Sequence, residues 1–179
     1  MIRSFLQPAR RFLRREDGVA TLEFVLTFPA MLMIMLSSIE VGMMTLNHSG
    51  LERAMDLTVR DIRLSTGTAP QYDEIKNRIC QRAGFIKDCG NNLKLEMVQV
   101  DPRDWVGVSR EVTCTDASKE VQPKTMFKND AKDNELMILR ACAKIKPIFP
   151  TTGLGKSIKK DGAGQYALVS TSVFVQEPR

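Results

Sequence analysis

Two carboxylates stand where a charge is expensive. Glu23 and Glu40 lie within Val19–Leu46, a run of 28 residues with no Lys, Arg or Asp. A charged side chain at mid-depth in a bilayer costs about 2.5–3.5 kcal/mol or more, so each is a candidate for functional pairing. Gly18 opens the run and five arginines precede it. An unpaired buried charge is costly, so a carboxylate here favours a cationic partner. Glu40, nearer the far end, is expected to reach the outer interface without a partner. Its loss is therefore expected to matter less than that of Glu23.

Other chemistry is sparse. His48 is the single histidine, so a two-imidazole metal centre is excluded by count; it is expected to be an interfacial side chain. Thr151–Ser157 looks like the end of a phosphate-binding loop, but Pro150 stands where that loop needs its first Gly. A surface hairpin is expected there instead. Asp130, Asp133, Asn134 and Glu135 lack the spacing of a calcium loop and read as a solvated turn. Asn47-His48-Ser49 fits a glycosylation triplet but hugs the apolar run. No nucleophile–base pair or metal constellation emerges, so no catalytic residue, cofactor or metal is expected, and the chain does not read as an enzyme. Basic and acidic residues interleave, and one Trp and two Tyr give little to stack bases on, so no nucleic acid is expected as a partner.

Cys80, Cys89, Cys114 and Cys142 all follow the apolar run, and none forms a Cys-x-x-Cys pair. An even count in an oxidising compartment favours two disulfides, with three pairings possible. Cys80–Cys89 with Cys114–Cys142 is preferred. The first closes a short loop and the second ties two candidate strands across a polar segment.

The elements that must hold these residues begin with the run itself. As a helix it is about 42 Å long, more than the ~30 Å hydrocarbon core of a bilayer. It reads as a membrane-spanning helix over 19–46. Residues 1–18 carry five arginines against two acids, which places the N-terminus in the cytoplasm. Past the run, Leu51, Ala54, Met55, Thr58 and Ile62 share one helical face and charged residues the other. An amphipathic extension over 47–66 follows, with Pro29 a candidate kink and Gly50 a candidate bend. The extracytoplasmic part, 67–179, is predicted to be small and α+β. It holds one helix through Tyr72, Ile75, Ile79, Ala83 and Ile86, then an antiparallel sheet. Its strands run through Leu93–Val100 (with a bulge near Val98), Leu139–Ile145 as a half-exposed strand, and Ala167–Val175. Trp105–Cys114 is a weaker strand candidate. Polar loops are expected over 116–134 and 150–164.

The order Arg-rich leader, Gly18, then Glu23-Phe24 five residues on resembles a class III, prepilin-type signal. In that family a membrane aspartyl peptidase cuts after the Gly on the cytoplasmic side. Residues 15–42, REDGVATLEFVLTFPAMLMIMLSSIEVG, are further similar to the N-terminal signature of TadE-like proteins. These are pseudopilin or minor-pilin components of tight-adherence (Flp) pilus systems. The matching positions are Gly18, Glu23-Phe24, Pro29, and Glu40 with Gly42. The closing STSVFVQEPR, 170–179, also resembles the end of that family.

The resemblance implies a pseudopilin or minor pilin that helps build a pilus through helix packing and the Glu23 carboxylate. Cleavage would fall between Gly18 and Val19, with Glu23, Phe24 and Glu40 in assembly. Implied partners are a prepilin peptidase, other pilin or pseudopilin subunits, inner-membrane assembly proteins and the lipid bilayer. The chain would cross the inner membrane once, with its C-terminal domain in the periplasm. The competing reading is a single-span envelope protein whose outer domain binds a ligand or protein without polymerising.

Overall fold

The computed structural model describes residues 19–64, 71–103, 109, 111–122, 126–128 and 134–175. The leader 1–18 and the helix end expected near 65–70 lie outside them, as do 176–179.

A single helix, α1, runs through Val19–Leu64. Neither Pro29 nor Gly50 interrupts it. Below about residue 47 its surface is apolar on all sides and mostly exposed: Leu26 is 69% and Ile34 70% accessible. Such a surface has no aqueous solvent to suit it. The helix is long and apolar enough to cross a membrane, and only 6% of its most apolar window is buried inside the chain. Above that point the periodic face is covered. Leu51, Ala54, Met55, Val59 and Ile62 are all buried.

Helix α2, Tyr72–Arg82, buries Ile75 and Ile79 against the same core and carries Asp73 and Glu74 in its first turn, where acids suit the helix dipole. It is shorter than the spacing predicts. Ala83 and Ile86 are buried but stand beyond the helix end. The Arg82 guanidinium ties α2 to α1, donating to Thr58 Oγ1 at 3.0 Å and to Asp61. Gly50 serves a contact rather than a bend: a Cβ there would lie 2.7 Å from the Phe85 ring. A one-turn helix, α3 (Cys89–Asn92), leads into the sheet.

The sheet is an antiparallel meander of β1 (Leu93–Val100), β2 (Leu136–Ile145) and β3 (Tyr166–Val175), with β2 central. The register is unbroken from Leu93 opposite Ala143 to Val100 opposite Leu136, so the bulge expected near Val98 is absent. The change of pattern has another cause, because both faces of β1 are covered. Leu93, Leu95 and Met97 face the helices, while Lys94, Glu96 and Val100 are buried on the other side. The same cover removes the expected half-exposure of β2. Arg140 lies 3.5 Å from Glu96 and donates to the Ser109 carbonyl at 2.6 Å, and Cys142 is fully buried.

The segment over that face forms no strand among its described residues, 109 and 111–114, which corrects the weaker strand candidate. The outer edge of β1 is closed by a second segment. Met97 N–H donates to the Met126 carbonyl and Lys128 N–H to the Met97 carbonyl, both at 3.0 Å.

In β3 the buried side is Tyr166, Leu168, Ser170 and Phe174. The β-branched set Thr171, Val173 and Val175 faces outward. Finally, a short helix α4 (Gly153–Ser157) lies against α1.

Candidate functional site

The residues singled out from the sequence divide into three places. Gly18 lies outside the described residues, and Val19 begins α1. Glu23 and Phe24 stand on the uncovered lower part of the helix. The Glu23 side chain is exposed and, among the described residues, its carboxylate makes no hydrogen bond or ion pair. Its backbone carbonyl accepts from Thr27 Oγ1 at 2.8 Å. Phe24 is 60% accessible and stacks on Phe28 with ring centres 4.8 Å apart. Among the described residues, this end of the helix therefore presents a carboxylate and two stacked rings that are largely uncovered.

Glu40 is the opposite case and overturns the expectation of an interfacial side chain. It is 1% accessible. Its two oxygens accept the backbone N–H groups of Ile148 (3.1 Å) and Phe149 (2.9 Å). The local sequence explains the need. Strand β2 ends at Ile145, and Pro147 and Pro150 bracket the turn. Proline has no N–H, so Ile148 and Phe149 carry the donors of that turn after the sheet ladder has ended. A carboxylate accepting two N–H groups makes charge-assisted bonds, stronger than neutral ones. The bracketed pair Pro147-Ile148-Phe149-Pro150 was a readable signal that these N–H groups required an acceptor.

The rest of that segment is shaped to sit on α1. Gly153 has φ +49°, and a Cβ there would also lie 2.5 Å from Ser37 Oγ. A Cβ on Gly155 would lie 2.3 Å from the Phe149 carbonyl oxygen. The two glycines that suggested a phosphate loop are thus there for close approach. Lys160 Nζ closes the segment by donating to the carbonyls of Pro150 (3.1 Å), Lys156 (3.3 Å) and Gly155.

Around Glu40 the upper helix is joined to β3. Tyr166 is buried, which pushes its hydroxyl up from the usual tyrosine value. The Glu40 charge adds to the rise, while a hydrogen bond with Asn47 opposes it. His48 lies with Nε2 3.2 Å from the Val169 carbonyl and Nδ1 3.5 Å from Glu52. It links helix to strand rather than standing as an interfacial side chain.

Both disulfides of the preferred pairing are present. Cys80–Cys89 staples α2 to α3, and Cys114–Cys142 fastens the covering segment to β2. Of the acidic turn, Asp130 and Asp133 lie outside the described residues. Asn134 takes a left-handed φ of 66° just before β2.

Residues 18–60 match the family described as TadE-like protein. Over that span, about a quarter of its length, the chain is similar to TadE-like proteins. The matched span opens at Gly18 and contains Glu23, Phe24, Pro29, Glu40 and Gly42. It ends within the covered upper part of α1, before α2 and the sheet. No curated protein and no solved structure matches the chain. The TadE-like span fits a membrane protein of a tight-adherence pilus system, with pilus-system partners in general.

Proposed function

We propose that this chain is a membrane-anchored pseudopilin or minor pilin that takes part in building a tight-adherence (Flp-type) pilus. One observation carries the reading: within the TadE-like span, the lower helix is apolar, mostly exposed and marked by a Glu23 carboxylate that has no partner among the described residues. A helix with that surface is stable in lipid or against other apolar helices. A charge on it favours a partner that brings the opposite charge.

In this reading a prepilin peptidase removes 1–18 on the cytoplasmic side, and Glu23 of one subunit pairs with the new Val19 amino group of another. Phe24 packs beside it. The outer domain stands in the periplasm, where two disulfides are stable. The Met-rich stretch Met31–Met44 suits packing against several different neighbours. The role is structural rather than enzymatic.

Mass spectrometry of the membrane-extracted protein should show a chain beginning at Val19, and a bulky residue at Gly18 should leave the full-length precursor. Glu23→Ala should still insert and be cut, because removing a charge makes the helix more apolar. Its crosslinks to other pilus subunits should be lost, and surface pili with them. An intact leader in wild-type cells, or full assembly by Glu23→Ala, would count against the proposal.

A further inference from the structure

We infer that residues 146–160 form a foot that rests in the outer leaflet of the membrane spanned by α1, with a phospholipid as its occupant. The inference rests on the membrane-anchor reading of α1 and not on the pilus reading.

Depth is the first argument. A hydrocarbon core of ~30 Å takes about 20 helical residues at ~1.5 Å each. A helix entering near Ala20 therefore leaves near Glu40. The foot is docked at that level and reaches below it. Glu40 holds the backbone of Ile148 and Phe149, and Gly153 seats against Ser37, about one turn further in. An open groove of about 710 Å³ runs between α1 and α4, lined mainly by Met33, Ile34, Ser37, Val41 and Leu154. It is continuous with the bare helix surface that lipid chains would cover.

Composition is the second argument. Residues 146–160 contain four lysines and no acid. Lys160 is spent on carbonyls of the foot itself. Lys146, Lys156 and Lys159 are exposed, and among the described residues their ammonium groups have no partner. Between them the segment presents Ile148, 47% accessible, together with the half-buried Phe149 and Leu154. Apolar side chains flanked by lysines suit the boundary between acyl chains and phosphates. There the stems stay in the apolar layer, and each ammonium is drawn to an anionic surface. A second copy of the chain would bring its own lysines to the same patch, so the charge favours lipid over self-association.

The test uses the full chain in vesicles of phosphatidylethanolamine and phosphatidylglycerol, with Trp105→Phe as background. Single tryptophans are introduced as Ile148→Trp, Leu154→Trp, Met31→Trp and Val121→Trp. Lipids carry bromine near the top or near the end of their chains. Resistance of the cysteines to alkylation before reduction confirms the fold of each variant.

Ile148→Trp and Leu154→Trp should lose fluorescence to the shallow bromines about as strongly as Met31→Trp loses it in the bilayer, while Val121→Trp should not. Glu in place of Lys146, Lys156 and Lys159 should weaken the loss at Ile148→Trp. No quenching at either foot position, with Met31→Trp still quenched, overturns the foot and leaves the anchor standing. Failure at Met31→Trp overturns both. Quenching of the foot that appears only as lipid is raised in excess over protein means a second copy occupies the groove, which also overturns the inference. Should Ile148→Trp fail to fold, Leu154→Trp decides.

Discussion

The lower and upper halves of α1 belong to one unbroken helix, yet they are built for different surroundings. Leu22 and Leu26 are more than half exposed, while Leu51 and Met55 are fully buried. Apolar content separates the two halves, with 19 apolar residues of 28 over 19–46 against 7 of 18 over 47–64, and so does the arrangement. The upper half confines its apolar residues to one stripe and sets Glu52, Arg53, Asp56 and Arg60 on the other side, which suits a helix laid on a core beside water. The lower half has no polar side, so it suits lipid or other helices.

The same contrast appears between the two glutamates. Glu23 is bare among the described residues, and Glu40 is enclosed by the turn after β2. Glu40 acts within the chain, and in the proposed reading Glu23 acts between chains. The TadE-like span thus holds two carboxylates in different settings that the residue type alone does not distinguish.

Truncating one side chain in each half probes this contrast most strongly. Met55→Ala should destabilise the outer domain by about 2–5 kcal/mol, the usual cost of a large-to-small change in a core. Met31→Ala, 65% accessible, should leave it within about 0.5 kcal/mol of wild type. Pulse proteolysis of the detergent-solubilised chain measures both. Equal losses would mean that the helix around Met31 also packs on the domain.

Next in size is the Cys114–Cys142 bridge, whose partners are 28 residues apart. Replacing both cysteines with alanine should cost about 3 kcal/mol. It should also free the segment over the outer sheet face, read as faster amide exchange in β2.

The glutamate pair comes third. Glu40→Ala leaves two backbone N–H groups without their acceptor and should cost about 2 kcal/mol. Glu23→Ala should cost the domain nothing measurable. The ranking expected from sequence concerned assembly; for stability the larger cost falls on Glu40. Thermal melts of both variants in detergent would show whether the two melting temperatures separate.

The smallest effect is alkaline. Burial raises the pKa of both Tyr72 and Tyr166 above the ordinary value of 10.0. The unfolded chain therefore loses these protons first as pH rises. Folded tyrosines hold more protons than unfolded ones in that window, so stability falls as pH climbs through the unfolded value towards the raised folded one. Tyr166→Phe and Tyr72→Phe should each flatten the alkaline limb of a stability–pH curve. The lower half of α1 contains no tyrosine and should not contribute to it.

Much of this architecture was legible in the residues because it is written in local periodicity. The apolar run, the stripe from Leu51 to Ile62, helix α2 and the three strands all repeat with a period their backbone imposes. The cysteine pairing was readable as a preference, since two of the cysteines fall beside one helix and the others near candidate strands.

What local periodicity does not carry is the identity of the neighbour. Strand β3 alternates on both of its faces, and the long helix decides that Tyr166, Leu168 and Phe174 lie inside while Val173 and Val175 lie out. The second face of β1 and β2 is covered by a segment whose described residues, 109 and 111–114, form neither strand nor helix. Glu40 meets Ile148 across 108 residues, and His48 meets Val169 across 121. A hydrogen bond depends on where two groups stand in space, and chain positions so far apart are brought together only by the packing of the whole domain. The sequence by itself therefore determined which segments are helix, strand and membrane-compatible surface. Tertiary structure alone decided which carboxylate is enclosed and which, among the described residues, is left free.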